Sequence, residues 1–122
     1  WDSKEQVAED MRFLKDEVEP DQASFFMLTP LPGSHDHREM KRRGDWMDPD
    51  FNKRDSFHAT IQHPLMSADQ WHEAYENAWK TFYSKENMIK SLSKWTDHPA
   101  NYWNLMAIFF WYKNAALIEK HL

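Results

Sequence analysis

Apolar residues change their spacing along this chain, and each change marks an element. Val7, Met11, Leu14 and Val18 share one face at helical spacing, and the capping box Ser3-x-x-Gln6 precedes them, so a helix is predicted from Ser3 to about Val18, ended by Pro20. Phe25-Phe26-Met27-Leu28 is a continuous apolar run, which reads as a strand over 23–29 buried on both faces. Thr29-Pro30-Leu31-Pro32-Gly33 stops that strand, because the prolines remove backbone donors and the glycine permits a turn. Ser34 then caps a short polar helix over His35–Arg43, closed by Gly44 with basic residues in its last turn. Residues 45–54 read as irregular chain ordered by Trp46, Met47 and Phe51. Phe57, Ala59 and Ile61 alternate with polar neighbours, predicting a short half-buried strand that His63-Pro64 terminates.

The clearest helix begins at Ser67. Ser67-x-x-Gln70 is a second capping box, Met66 and Trp71 form a hydrophobic staple, and Trp71, Ala74, Tyr75, Ala78, Trp79 and Phe82 form one stripe. Met88, Leu92 and Trp95 predict another helix after Ser84, and Pro99 opens a last one running from about Ala100 to Lys120. The expected fold class is α+β and mainly helical, with one or two remnant barrel strands followed by a C-terminal helical bundle. Residues 1–64 would be the end of a (β/α) barrel-like region and 65–122 a helical region packing on it as one compact unit. A helix followed by a buried strand is half of a βαβ unit, so the partner strand is expected before residue 1.

Composition narrows the chemistry. The chain has 122 residues and no cysteine, which excludes disulfides, thiolate metal sites and a thiol nucleophile within it. A net charge of −5 argues against a nucleic-acid partner, since phosphate binding needs clustered Lys and Arg. The aromatic content is 16% and there are only two glycines, which favours helices packed through bulky side chains. No signal peptide and no spanning apolar run is present, so a cytoplasmic location is expected. Trp1 in place of an initiator methionine fits an excised piece.

A family resemblance rests on several short stretches. Leu28-Thr29-Pro30-Leu31-Pro32-Gly33-Ser34 resembles the Pro-x-Pro-Gly-Ser/Thr turn late in the barrel of radical S-adenosylmethionine enzymes, in the branch with an N-terminal cobalamin-binding domain. The likeness continues through Trp46–Asp50, Asp55–His58 and His63–Ser67 to Trp71, Tyr75, Ala78-Trp79, Phe82-Tyr83 and Phe109–Asn114. It covers most of the chain from about residue 23, and its specificity lies in order and spacing rather than in any single piece. The resemblance implies the C-terminal portion of such an enzyme. The parent would use a [4Fe–4S] cluster and S-adenosylmethionine, with cobalamin in that branch. The cluster-binding Cys-x-x-x-Cys-x-x-Cys motif is missing here, so no cofactor is expected to be bound by this segment alone, and it would be inactive by itself.

Candidate sites follow. Thr29, Pro30, Pro32, Gly33 and Ser34 form a turn that could line a cofactor or substrate pocket, or simply connect strand to helix. Asp55 and His58 are the candidate acid–base pair, although strand alternation would put them on opposite faces unless the strand starts after Asp55. His35-x-His37 and His58-x4-His63, with Asp36, Asp50 and Asp55, match no closed metal motif, so no metal site is assigned. Asp48-x-Asp50-x-Asn52 fails as a calcium loop, because Lys53 occupies the glycine position.

Leu105 to Tyr112 is apolar all round a helix. It lacks the charged face of an interfacial helix, so burial against the remainder of the parent polypeptide is favoured over membrane contact. In this chain it predicts self-association through Leu105, Ile108, Phe109, Trp111 and Tyr112. The expected function is the C-terminal segment of a radical S-adenosylmethionine iron–sulfur oxidoreductase or methyltransferase-type enzyme, closing the barrel and shaping the substrate end. The alternative is a stand-alone helical interaction module docking through its aromatic last helix. A His/Asp metal-binding protein is a third reading.

Overall fold

The structure, a computed structural model, describes the backbone of residues 1–118 and the side chains of residues 1–114. The fold is mainly helical, with five α-helices among the described residues: α1 (Lys4–Phe13), α2 (His35–Arg43), α3 (Ala68–Phe82), α4 (Lys85–Ser93) and α5 (Pro99–Ile118). A π-helical turn, Leu14–Val18, continues α1, and a 3-10 turn spans Phe51–Lys53. The end expected for α5 at Lys120 lies outside the described residues. The chain divides into two compact units, residues 1–9 with 24–78 and residues 10–23 with 79–122.

The helix starts are fixed by local chemistry. In both capping boxes the bonds are reciprocal: Gln6 N–H donates to Ser3 Oγ at 3.3 Å and Ser3 N–H to Gln6 Oε1 at 2.8 Å, while the Ser67–Gln70 pair repeats this at 3.2 and 3.0 Å. Ser34 and Ser84 cap α2 and α4 through the amides of His37 and Asn87. Gly44 ends α2 at φ 78°, a left-handed conformation that glycine adopts without steric cost.

The strands expected over 23–29 and 57–61 do not form among the described residues, so the remnant barrel strands are corrected to irregular chain. Among the described residues β pairing is limited to an isolated antiparallel bridge between Met47 and Ile61. Burial on both faces also fails at the first run: Met27 is buried, whereas Phe26 and Leu28 are 65% and 56% exposed. A ladder needs a continuous run of pairings with a neighbouring backbone, and no strand is formed at these segments among the described residues. The alternation read over 57–61 breaks because Thr60 and Ile61 are both buried, at 0% and 3% exposure. Residues 45–54 are irregular apart from the 3-10 turn, and of the residues expected to order them Met47 bridges Ile61 and Phe51 lies under Arg54, while the Trp46 and Phe51 side chains are exposed.

Unit 1 (1–9 and 24–78) buries Met27, Ile61, Met66, Ala74 and Ala78 with Thr60 and His63. An ion pair of 2.6 Å joins Lys4 to Glu73.

Unit 2 (10–23 and 79–122) has its core at Leu92, Leu105 and Phe109, flanked by Tyr83, Met88, Trp95 and Tyr102. Tyr83 stacks on Tyr112 at 4.7 Å and on Trp79 at 5.5 Å between ring centroids, and its hydroxyl donates to the Ala23 carbonyl at 2.8 Å. Burial pushes the Tyr83 phenol up to about 12, against the Ala23 backbone hydrogen bond and with help from Tyr112.

The π turn widens the helix so that Glu19 N–H reaches the Leu14 carbonyl at 2.9 Å. That slips the register, and Val18 emerges 54% exposed instead of joining the stripe of Met11 and Leu14. The end of α4 and the two residues after it then hold the segment that follows. Lys90 pairs with Glu19, Lys94 pairs with Asp21 at 2.6 Å, and the Trp95 indole N–H donates to Asp21 at 2.9 Å. Lys94 also donates to the Glu19 carbonyl at 2.7 Å.

Asp21 therefore takes a cation and an indole at once. Asp21→Ala is expected to lower unfolding stability by about 1–3 kcal/mol, the range for hydrogen bonds to a charged group, reduced here by partial exposure. Urea unfolding followed by circular dichroism measures it, and a change below about 0.5 kcal/mol, the level of a neutral surface substitution, would refute the role.

Candidate functional site

The stretches that carry the family resemblance at 28–34, 46–50, 55–58 and 63–67 lie in unit 1, and Arg54 fastens the first two of them to each other. Its Nη1 donates to the Pro30 carbonyl at 2.7 Å and its Nη2 to the Asp48 carbonyl at 3.3 Å. The guanidinium carbon sits 4.9 Å from the Phe51 ring centroid, a cation–π geometry. Asp48 N–H donates to the Thr60 carbonyl at 2.8 Å, beside the Met47–Ile61 bridge, and Met27 N–H donates to the Ser56 carbonyl at 2.8 Å. Sequence reasoning missed Arg54, which sits in a polar stretch and reads as a surface cation.

The loop on the other side of Arg54 is built from aspartates. Asp48 accepts from Asp50 N–H at 2.9 Å and from Lys53 Nζ at 3.0 Å, and Asp50 caps Asn52 N–H at 3.0 Å. The Asp50 amide, followed by the Lys53 ammonium, holds the Asp48 carboxyl below its usual range.

Asp55 and His58 are brought together. His58 Nδ1 lies 3.0 Å from both carboxylate oxygens of Asp55, and Asp55 also accepts from Phe57 N–H at 2.9 Å. A strand would have separated the two residues, but Ser56 turns the chain at φ 68°, in the left-handed region that non-glycine residues seldom adopt. Burial acts to raise the Asp55 carboxyl, and the His58 and Phe57 hydrogen bonds outweigh it, leaving the carboxyl lowered. The dyad fixes His58 through Nδ1, which leaves Nε2 as the nitrogen for exchange with a proton donor or acceptor. Phe57 of the same turn lies 6.3 Å from Phe26 and 6.4 Å from Tyr75 between ring centroids.

The turn Thr29–Ser34 spends its polar groups within the protein. Thr29 Oγ1 donates to the Met27 carbonyl at 3.1 Å, and Ser34 Oγ caps His37. Arg38 donates to the Gly33 carbonyl. Gly33 holds φ 85° with open space where a Cβ would stand, so its requirement is conformational and not steric crowding. Pro30 is buried, while Pro32 and Gly33 are exposed.

His35 and His37 lie at the start of α2, where His35 faces Asp36 at 3.7 Å. Among the described residues no group of three or more His, Cys, Asp or Glu side chains could hold a metal ion. No described helix is long and apolar enough to cross a membrane. In α5, Leu105 and Phe109 of the residues expected to drive self-association are buried, while the large apolar side chains of Trp103, Met106, Phe110 and Trp111 are exposed.

No protein-family model, no curated protein and no solved structure matches this chain.

Two outcomes test the site. Arg54→Met removes both carbonyl contacts and is expected to cost about 2–3 kcal/mol in unfolding free energy, with Arg54→Lys recovering part of it. Equal stability of the wild type and the Met variant would show that Arg54 fastens nothing.

His63 provides a pH test. It is 9% exposed, lies 4.8 Å from the Trp1 ring and 5.0 Å from the Trp71 ring, and its Nδ1 accepts from Leu65 N–H at 3.1 Å. Burial lowers its pKa, so the unfolded chain binds the extra proton first. Stability is then full above the unfolded value of about 6.5 and declines as pH falls toward the depressed folded value. Unfolding free energies at pH 7.5 and 5.5 should show this decline, and His63→Asn, which retains an acceptor near the Nδ1 position but cannot titrate, should flatten it (both pH values being about one unit either side of 6.5). An unchanged slope in the variant would refute the assignment.

Proposed function

We propose that this chain is the C-terminal segment of a radical S-adenosylmethionine iron–sulfur enzyme, of oxidoreductase or methyltransferase type, in which it closes the barrel and shapes the substrate end. The observation that carries the reading is the fastening of unit 1. Stretches resembling that family are separated in sequence, yet Arg54, Met27 and Asp48 link the turn at Pro30, the loop at Asp48 and the turn at Ser56 through backbone carbonyls. Residues that share one structural task are expected to be retained in order and spacing together.

The apolar run supports the same reading. Met27 is buried while its neighbours Phe26 and Leu28 are exposed, so this irregular stretch presents apolar side chains outward. The rest of the parent polypeptide is the proposed cover. The [4Fe–4S] cluster does not fit this chain, because no cysteine is present to ligate iron. When bound in the parent, the cluster supplies the electron for cleavage of S-adenosylmethionine, and cobalamin belongs to the resembling branch. The residues of this segment contribute positioning, with Asp55 holding His58 as a proton-exchanging group at the substrate end.

The test uses the intact gene product purified without oxygen. Iron–sulfur absorption and reductive cleavage of S-adenosylmethionine are expected. Absence of both from a folded, iron-reconstituted protein would refute the proposal. The alternative, a helical interaction module, is favoured by the exposed aromatic residues of α5 and would then lead.

A further inference from the structure

Residues 14–19 of unit 2 hold a conformation that their own sequence opposes. Met11, Leu14 and Val18 have the spacing of one α-helical face, on which Val18 would join the buried Met11. The π turn over Leu14–Val18 instead turns Val18 outward. It also places Glu19 at φ 51° and ψ 47°, a left-handed non-glycine residue standing before Pro20, where extended backbone is favoured. A carbonyl is stranded as well. Glu19 N–H goes to Leu14, so the Lys15 carbonyl loses its α-helical donor, and its π-helical donor would be residue 20, a proline without N–H.

What holds this register comes from two lysines outside the helix. Lys90 pairs with the Glu19 carboxylate, and its Nζ donates to the stranded Lys15 carbonyl at 3.4 Å. Lys94 Nζ donates to the Glu19 carbonyl at 2.7 Å and pairs with Asp21 at 2.6 Å. We propose that residues 14–19 are a two-register element, held as a π turn by the charges of Lys90 and Lys94, and returned to the α register with Val18 inward when those charges are removed.

Each register supplies what the other leaves unmet. In the α register Glu19 N–H reaches the Lys15 carbonyl, Val18 covers apolar surface beside Met11, and Glu19 leaves the left-handed region. In the π register the gain is the set of charge-assisted bonds to two carbonyls and two carboxylates. A left-handed non-glycine residue weights against its own conformation by roughly 5- to 150-fold, so the lysine contacts decide the balance. Both lysine side chains are partly exposed, within reach of acylation, the chemistry that abolishes their charge.

Valine occurs only at positions 7 and 18, so isotope-labelled valine methyls report Val18 with Val7 as the reference. Their relaxation by a dissolved neutral gadolinium chelate measures exposure to solvent. In the double variant Lys90→Gln with Lys94→Gln, the Val18 methyls should lose at least about half of that relaxation, as they would once the α register holds most of the population. Val7 should stay constant, as should helix content by circular dichroism. Lys90→Arg with Lys94→Arg keeps both charges and should leave Val18 near its wild-type exposure. Lys90→Gln alone should move Val18 in the same direction by less, and it decides the matter if the double variant loses helix content. Val18 relaxation that is unchanged or increased in the Gln variants, or lowered equally by the Arg pair, would overturn the proposal. Neither result bears on the iron–sulfur test, and failure of that test leaves the two-register element intact.

Discussion

The folded part of unit 1 outside its helices depends on Arg54. A segment with prolines at 30, 32, 49 and 64 has few backbone donors to offer, so its carbonyls need donors from side chains. A guanidinium suits that task because its fixed fork can serve two carbonyls at once, and Arg54 does so at Pro30 and Asp48 while lying against Phe51. Its Nε, like the hydroxyl of Thr60, is buried without a hydrogen-bond partner in the protein. The two carbonyl contacts must therefore outweigh an unmet donor as well as the cost of holding a long cation still.

Unit 2 is held together differently. Its core is aromatic and aliphatic, but the segment 19–23 is fixed by ionic and polar contacts from Lys90, Lys94 and Trp95 and by the Tyr83 hydroxyl. The π turn makes those contacts necessary. It moves Val18 off the apolar stripe, and Glu19 follows in a left-handed conformation at φ 51°. Lys90 and Lys94, one turn apart, then meet Glu19 and Asp21.

What could be read in the sequence was local. Both capping boxes, the helix over His35–Arg43 with Gly44 behind it, and the stripe from Trp71 to Phe82 stand as the spacing implies, since each depends on residues within one or two turns. The strands were not readable, because a β ladder is a relation between distant segments and the apolar run at 25–28 is silent about its neighbour. Asp55 and His58 show the same limit at a candidate site. Their meeting depends on Ser56 taking a positive φ, and nothing in the letters Asp-Ser-Phe-His announces it. Arg54 was overlooked because its partners are carbonyls, which have no residue type.

The two exposed apolar stretches differ in what they demand of a partner. Helix α5 satisfies its interior backbone groups by itself, so covering Trp103, Phe110 and Trp111 would require only matching side chains. The stretch around Phe26 and Leu28 is irregular chain whose backbone is held inside unit 1, with Met27 N–H donating to the Ser56 carbonyl and the Met27 carbonyl accepting from Thr29 Oγ1. What it leaves exposed is therefore side chains on a segment that its own unit already positions. That difference is why the enzyme-segment proposal is argued from the contacts of unit 1 and not from the exposed rings of α5.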